Sequence, residues 1–208
     1  MSSQRNTTGP AGAPGAAPVN GRTPDDTLLD AARTCVIAVG LRRTTLTDVA
    51  RRAGVSRMTM YRRWPDMASL MADLMTREWV DLAQRALAEA TGRTARERVV
   101  SMLLSGVRDL RAHPVFRRII ELDPEVLLPY VVDRRGTSQD HVLGMLTEAI
   151  DAGRADGSIR AGNPALLARS ALLAVHGFVL SSATMTDEVS EADLDGELAI
   201  LLDDYLAP

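Results

Sequence analysis

Residues 45–64 constrain the fold of this chain more than any other part of its sequence. Two short stretches of helical spacing lie on either side of Gly54, a residue that readily adopts the left-handed backbone of a tight turn. The inward-facing residues of the first stretch are Leu46, Val49, Ala50 and Ala53. Met60 and Trp64, four residues apart, anchor the second stretch to a core. The pattern predicts two short helices joined at Gly54, with Val55 filling the space between them.

Capping residues mark the start of both helices. Thr45 is a good N-cap, and Asp48 three residues later can complete a capping box. Ser56 is placed to cap the second helix. The residues that remain on the outer face of the second helix are Arg57, Thr59, Tyr61, Arg62 and Arg63.

The distribution of charge indicates a nucleic-acid partner, although the net charge of −3 does not. Residues 40–64 contain seven arginines and one acid, which gives +6. Residues 1–39 have three of each sign, whereas residues 65–208 have 14 arginines and 23 acids, which gives −9. A basic patch on an acidic body is typical of a phosphate-binding surface. We therefore predict a DNA-binding helix-turn-helix rather than an ordinary helical hairpin.

The stretch from the first helix to Leu70 resembles the DNA-binding domain of TetR-family regulators. The matching residues are Thr45, Val49, Ala50, Ala53, Gly54, Val55, Ser56, Thr59, Tyr61, Trp64 and Pro65. The resemblance implies a homodimer that binds a double-stranded DNA operator through N-terminal domains. It also implies a C-terminal domain with a small-molecule effector cavity and a dimer interface made by the last two long helices. Effector binding would move the DNA-binding domains apart and release the operator.

Individual roles also follow from the resemblance. The positions that match phosphate-contacting residues of the family are Thr45, Thr59 and Tyr61. The positions that match residues facing the bases or the groove are Ser56, Arg57 and Arg62. An arginine at a helix start can donate two hydrogen bonds to guanine O6 and N7.

The chain departs from the family at the start of the fourth helix. The family usually has a lysine there that contacts phosphate, whereas this chain has Met67 preceded by Asp66. That phosphate contact is missing, and Arg62 and Arg63 are the residues expected to compensate for it.

The predicted fold is all-α, with about nine helices and no alternating strand pattern. Residues 1–23 are rich in Gly, Pro, Ala, Ser and Thr and are predicted to be a disordered arm. Residues 24–66 are predicted to form the DNA-binding domain, and residues 67–208 the ligand-binding and dimerisation domain. Beyond the helix-turn-helix, helices are expected near 24–39, 67–90, 95–112, 115–122, 125–132, 137–152, 164–182 and 191–206.

A ligand cavity is expected among helices 4 to 8. The candidate lining residues are Trp79, Met102, Phe116, Met145 and His176. Methionines adapt to irregular shapes, and one polar group among apolar walls orients a ligand. Each of these side chains alone is also explained by ordinary core packing. If the cavity exists, its ligand is expected to be mostly apolar.

The last two long helices are apolar on more than one side, which predicts burial on more than one side. Pairing with their copies in a second subunit would satisfy this, as would packing within one subunit. The candidate interface residues are Leu172, Val175, Val179, Leu198 and Leu202.

Several functional classes are not supported by the sequence. The three histidines, His113, His141 and His176, lack metal-ligand spacing, and the chain has one cysteine. Asp123 and Glu125 are interpreted as solvated caps beside a turn. No enzyme, metal or cofactor is predicted. No apolar run approaches 18 residues and no signal-peptide pattern is present, so a cytoplasmic protein without a membrane partner is expected.

Two other classes stay open. The first is a constitutive or architectural DNA-binding protein whose helical domain is blind to ligands. The second is a helical ligand carrier whose basic segment does not bind DNA.

Overall fold

The computed structural model describes residues 23–208, which form nine α-helices and no strand. The helices are α1 (Pro24–Val39), α2 (Leu46–Ala53), α3 (Arg57–Arg63), α4 (Met67–Ala88), α5 (Ala95–Ala112), α6 (Pro114–Leu122), α7 (Thr137–Ala155), α8 (Pro164–Ser181) and α9 (Glu191–Leu206). The all-α prediction is confirmed. The predicted disordered arm lies outside the described residues, except for Thr23. That residue is the N-cap of α1 and forms a capping box with Asp26.

Two hydrophobic cores organise the described chain. The first joins α1, α2 and α3 with the beginning of α4 and with Val115 and Ile119 of α6. The second joins α5, α7, α8 and α9. Leu70 and Leu74 of α4 are fully buried in the first core. The core of the N-terminal domain therefore extends past the boundary predicted at residue 66.

Two elements differ from the sequence-based expectation. The helix expected near 137–152 continues through Gly153 to Ala155, and the left-handed turn lies at Gly157 (φ +76°). A Cβ atom on Gly153 would lie 2.4 Å from Cδ1 of Ile159, so this glycine permits close packing rather than a turn. The helix expected at 125–132 is instead a 3₁₀ turn at Pro124–Val126 followed by a π-helical turn at Pro129–Asp133.

The region of α8 is more apolar than the sequence analysis expected. An 18-residue stretch within residues 164–184 has a mean hydropathy of 1.5, and the span is long and apolar enough, by length and composition alone, to cross a membrane. Within the described chain 39% of this stretch is buried, and Leu167, Ala171 and Val175 pack in the second core. The helix α8 is therefore placed as a core helix, and it also exposes apolar side chains on its outer face.

Candidate DNA-binding surface and ligand cavity

The turn between α2 and α3 has the predicted geometry. Gly54 adopts the left-handed conformation (φ +70°, ψ +26°), and its N–H donates to the carbonyl oxygens that end α2. Ser56 then caps α3 by accepting a hydrogen bond from the N–H of Thr59 at 3.1 Å. On the inner side of α3, Met60 and Trp64 are buried, and Nε1 of Trp64 donates to Oδ2 of Asp73 at 2.8 Å. These contacts fix which face of α3 points outward.

The outward face of α3 carries two ridges. Arg57 and Tyr61 form one ridge and Met58 and Arg62 form the other, because residues four apart lie above one another on a helix. Tyr61 is 51% exposed and Met58 is 78% exposed. Met58 was not among the predicted DNA-facing residues, although the inward placement of Met60 and Trp64 is enough to put it outside.

The arginines of residues 40–64 differ in their partners. Ion pairs join Arg42 to Glu125 at 2.6 Å, Arg51 to Asp48 at 2.7 Å, and Arg63 to Asp25 at 2.7 Å. Within residues 23–208, no carboxylate oxygen lies within 4 Å of the guanidinium groups of Arg52, Arg57 and Arg62. Arg63 also lies over the Trp64 ring at 5.1 Å, and its ion pair with Asp25 ties α3 to α1. A DNA contact by Arg63 therefore competes with this ion pair.

The hydroxyl groups near the turn serve as helix caps. The hydroxyl of Thr45 accepts from the N–H of Asp48 and donates to its carboxylate at 2.6 Å. The predicted capping box is thus changed, since the carboxylate accepts from the hydroxyl of Thr45. The hydroxyls of Ser56 and Thr59 lie 3.0 Å apart. Contacts of these three groups with DNA stay predictions.

The start of α4 shows why the missing lysine is tolerated structurally. Asp66 caps α4 by accepting from the N–H of Ser69 at 2.8 Å, and its hydrogen bonds with the backbone and side chain of Ser69 lower its pKa. Met67 is half-buried against the first core. Both residues stabilise the start of the helix, and neither can neutralise a phosphate.

A cavity of about 420 Å³ lies in the helical domain. The structure brings together all five side chains predicted to line it, namely Trp79, Met102, Phe116, Met145 and His176. Burial lowers the pKa of His176 below its usual 6.5, so its imidazole is neutral at pH 7 and can both donate and accept.

One wall of the cavity comes from the irregular segment between α6 and α7. The residues of this segment that line the cavity include Val126, Leu127, Tyr130, Val131 and Arg134. Sequence reasoning missed this wall, because it expected a regular helix there. Helical periodicity does not show which side chains of a 3₁₀ or π turn face inward.

A buried ionic cluster lies beside the cavity and reaches α1. Oε2 of Glu78 in α4 accepts from Nε of Arg33 in α1 at 2.9 Å and lies 3.3 Å from Nε2 of His113. Burial raises the pKa of Glu78, but hydrogen bonds from His113, Arg77 and Arg33 outweigh it and lower the pKa from 4.5 to about 2. The imidazole of His113 meets the Trp79 ring edge-on at 5.1 Å. A side chain that lines the cavity thus contacts the cluster that holds α1.

A second link joins α6 to the turn after α1 and corrects an earlier interpretation. Asp123 is not a solvated cap: it is 4% exposed, and its Oδ2 accepts from the N–H of Leu41 at 2.7 Å. Glu125 forms the ion pair with Arg42. Both carboxylates connect the end of α6 to the N-terminal domain.

Comparison with known proteins agrees with this geometry. The family model for bacterial regulatory proteins of the tetR family matches residues 28–74. An uncharacterized HTH-type transcriptional regulator of Mycobacterium tuberculosis is 32% identical over 179 residues, which cover 86% of this chain and 92% of the relative. The chain belongs to the TetR family. This is a family of DNA-binding transcriptional regulators, not of enzymes.

Solved TetR-fold structures match nearly the whole chain. The transcriptional repressor QsdR of R. erythropolis has a TM-score of 0.66 at 16% identity and covers 89% of this chain and 96% of its own. A transcriptional regulator of Saccharomonospora viridis, solved in complex with choline, has a TM-score of 0.63 at 19% identity, with coverages of 88% and 97%. At these identities the likeness concerns the fold.

The structure places the predicted interface residues of this TetR-family protein inside the single chain. The five predicted interface residues, Leu172, Val175, Val179, Leu198 and Leu202, are all buried in the core of a single chain. The exposed apolar residues on the same two helices are Leu166, Leu173, Ile200 and Leu201. Burial of the five residues is explained by packing within one subunit, and their role in a dimer interface stays a prediction.

Proposed function

We propose that this TetR-family protein is a cytoplasmic, dimeric repressor that a small, mostly apolar effector releases from a palindromic operator. The observation that carries the proposal is the contact between the cavity and the ionic cluster. Trp79 lines the cavity and touches His113, and His113 lies beside Glu78, which binds Arg33 of α1. Trp79 is the residue after Glu78 in α4. An effector that displaces Trp79 is therefore expected to disturb the contacts of Glu78 as well.

The contacts of α6 also support coupling from the cavity to the N-terminal domain. Phe116 and Ile119 of α6 line the cavity, and the helix ends at the carboxylate that binds Leu41. Movement of α6 thus changes the position of the turn between α1 and α2. Since an effector shifts an equilibrium only by its differential affinity, the released conformation must fit it better.

The proposed DNA contacts are divided between bases and phosphates. Arg57 and Arg62 face the bases, and Met58 can make an apolar contact with the methyl group of a thymine. Tyr61, with the hydroxyls of Thr45 and Thr59, holds phosphates and sets the position of α3. Two copies of α3 in one dimer require half-sites about one helical turn, or a multiple, apart.

The proposed dimer pairs α8 and α9 with their copies. The exposed residues Leu166, Leu173, Ile200 and Leu201 belong to these two helices. Exposed apolar groups of this size on adjacent helices are typical of an interface rather than of a solvated surface. A second copy satisfies both helices with one isologous contact.

The main alternative is a constitutive DNA-binding protein with a ligand-blind helical domain. A fully packed domain would favour it, and the 420 Å³ cavity disfavours it. The ligand-carrier alternative is disfavoured because Arg57 and Arg62 lack carboxylate partners within residues 23–208. Arginines left unpaired on one exposed helix face suit phosphate and base contacts.

A two-stage experiment tests the proposal. First, operator fragments are selected from genomic DNA with the purified protein and verified by mobility shift. Then compounds are screened for release of the labelled operator, with Met145→Trp as the matched control that fills the cavity. Release from the wild-type protein and not from Met145→Trp, at equal operator affinity, is the expected result. Equal release from both proteins, or none from either across a broad library, contradicts the effector mechanism.

A further inference from the structure

We propose that the effector is an amphipathic anion, with an apolar chain inside the cavity and a carboxylate held at its rim by Arg134. The inference rests on the proposed function, because it assigns a chemical class to the effector of the same cavity. Four features of the wall carry it: its apolar interior, its lack of acids, its size, and the state of its two arginines.

The interior of the cavity accepts hydrocarbon. Trp79, Met102, Phe116 and Met145 contribute to the walls, as do Leu172 and Val175 of α8. His176 is a half-buried polar group among them, and it is neutral because burial lowers its pKa. A charged group placed this deep would lose its hydration without an ionic partner, so the charge of the effector belongs elsewhere.

The charge of the rim selects the sign of the ligand. No aspartate or glutamate is among the lining residues in the described part of the chain, whereas Arg134 and Arg135 both line the cavity. A cation would therefore be buried beside positive charge without a counter-ion. This chemistry disfavours ammonium ligands and favours a carboxylate.

The two arginines differ in availability. Nε of Arg135 donates to Oδ1 of Asp140 at 2.7 Å, so its charge is already compensated. Arg134 has no carboxylate within 4 Å in residues 23–208, and its guanidinium lies 5.6 Å from the centre of the Tyr130 ring. Stacking on the ring orients the planar group and leaves its N–H donors available for two carboxylate oxygens. The first turn of α7, which also lines the rim, adds N–H groups of the same polarity.

The volume of the cavity gives the approximate size of the apolar chain. At about 30 Å³ for each water-sized group, 420 Å³ holds roughly fourteen non-hydrogen atoms. A ten-carbon carboxylate has twelve and fits, and Arg134 is exposed, so the head group stays next to water. The irregular segment of Tyr130, Val131 and Arg134 provides both the apolar cover and the cation.

Calorimetric titration of the free, full-length protein with three ten-carbon probes tests the assignment without DNA. The probes are decanoate, decanol and decyltrimethylammonium, each used well below its micelle concentration. We expect decanoate to bind about tenfold more tightly than decanol, because one exposed charge-assisted hydrogen bond contributes a difference of about this size. The ammonium probe is expected to bind most weakly. Equal affinity for decanoate and decanol, tightest binding of the ammonium probe, or no binding of any probe overturns the proposal.

Substitution of the rim arginines tests the residue. Arg134→Gln is expected to lower decanoate affinity about tenfold and to leave decanol affinity unchanged, while Arg134→Lys retains most of it. Arg135→Gln is the matched control, because it removes a neighbouring charge that Asp140 already compensates. A larger loss in Arg135→Gln than in Arg134→Gln would show that the wrong arginine was chosen.

A mobility shift of the operator complex separates this inference from the proposed function. Decanoate that binds the free protein but does not release DNA contradicts the repressor mechanism and leaves the ligand class intact. Release by decanol or by the ammonium probe, with no binding of decanoate, supports the repressor mechanism and overturns the ligand class.

Discussion

Exposed arginines of this protein differ in their ionic partners, and we expect those partners to decide their roles. Arg51 is paired with Asp48, whereas Arg57, at the first position of α3, has no carboxylate within 4 Å in residues 23–208. Glu78 is the opposite case, a buried acid held ionised by three cationic or potentially cationic neighbours. Single substitutions at these positions therefore have distinct expected outcomes.

Arg57→Ala is expected to weaken operator binding by about 1–3 kcal/mol per half-site and to relax the preference at one base pair, because a bidentate base contact is lost. Mobility shifts with operator and with random DNA measure both effects. Arg51→Ala is the control, since its charge is compensated by Asp48. An equal loss on random DNA would assign Arg57 to a phosphate instead.

Glu78→Gln is expected to reduce the free energy of unfolding by about 3 kcal/mol near neutral pH. The folded pKa of Glu78, about 2, lies below its unfolded value of 4.5, so this stability is present above pH 4.5 and is lost as pH falls toward 2. Urea unfolding at pH 6 and pH 3.5 measures the difference between wild type and variant. That difference should shrink by about 1 kcal/mol at pH 3.5.

The exposed Glu148 provides the comparison for this measurement. Glu148→Gln should change the free energy of unfolding little at either pH, because no buried ion pair is lost. A difference between wild type and Glu78→Gln that does not depend on pH would show that the cluster does not hold Glu78 ionised.

At the scale of elements, the α1–α2 turn is one of the points where the N-terminal helices meet the rest of the described chain. Gly40 ends α1 with a positive φ of +88°, and a Cβ there would lie 2.9 Å from Cδ1 of Leu122 and 3.0 Å from Oδ2 of Asp123. Gly54 also has a positive φ, but a Cβ there meets nothing within 4 Å. Substitution of Gly54 therefore introduces backbone strain alone, whereas substitution of Gly40 introduces both backbone strain and a steric clash.

Gly54→Ala is expected to lower the free energy of unfolding by about 1–2 kcal/mol, from left-handed strain alone. Gly40→Ala is expected to cost at least about 2 kcal/mol, since a contact with α6 is added to the strain. Urea unfolding of both variants gives the comparison. Equal costs would mean that the end of α6 yields easily, which would weaken the proposed coupling through Asp123.

At the scale of the whole molecule, α8 has one face in the core and another in solvent. Leu172 is 8% exposed and packs in the second core, while its neighbour Leu173 is 71% exposed. If α8 pairs with its copy, Leu172 stabilises the fold of the single chain and Leu173 stabilises the dimer.

Leu173→Asp is therefore expected to give a folded monomer, and Leu172→Asp a destabilised or insoluble protein, because a charge is buried without a partner. Light scattering should give twice the 22.4 kDa chain mass for wild type and the single mass for Leu173→Asp. Circular dichroism checks that the variant stays helical. A Leu173→Asp protein that remains dimeric at micromolar concentration would move the interface away from this face.

The sequence by itself determined the nine α-helices, though not the irregular segment between α6 and α7, together with the turn at Gly54 and the family, because these depend on local spacing, caps and backbone conformation. It also indicated the five cavity residues, since large or polar side chains on apolar helix faces are few. Only the tertiary structure decided that Asp123 is buried, that Arg63 is paired, and that Leu173 rather than Leu172 faces outward. Each of these depends on which distant element meets the side chain, as Leu41 meets Asp123 and Asp25 meets Arg63. Periodicity separates two faces of a helix, but only packing shows which face a neighbouring element covers.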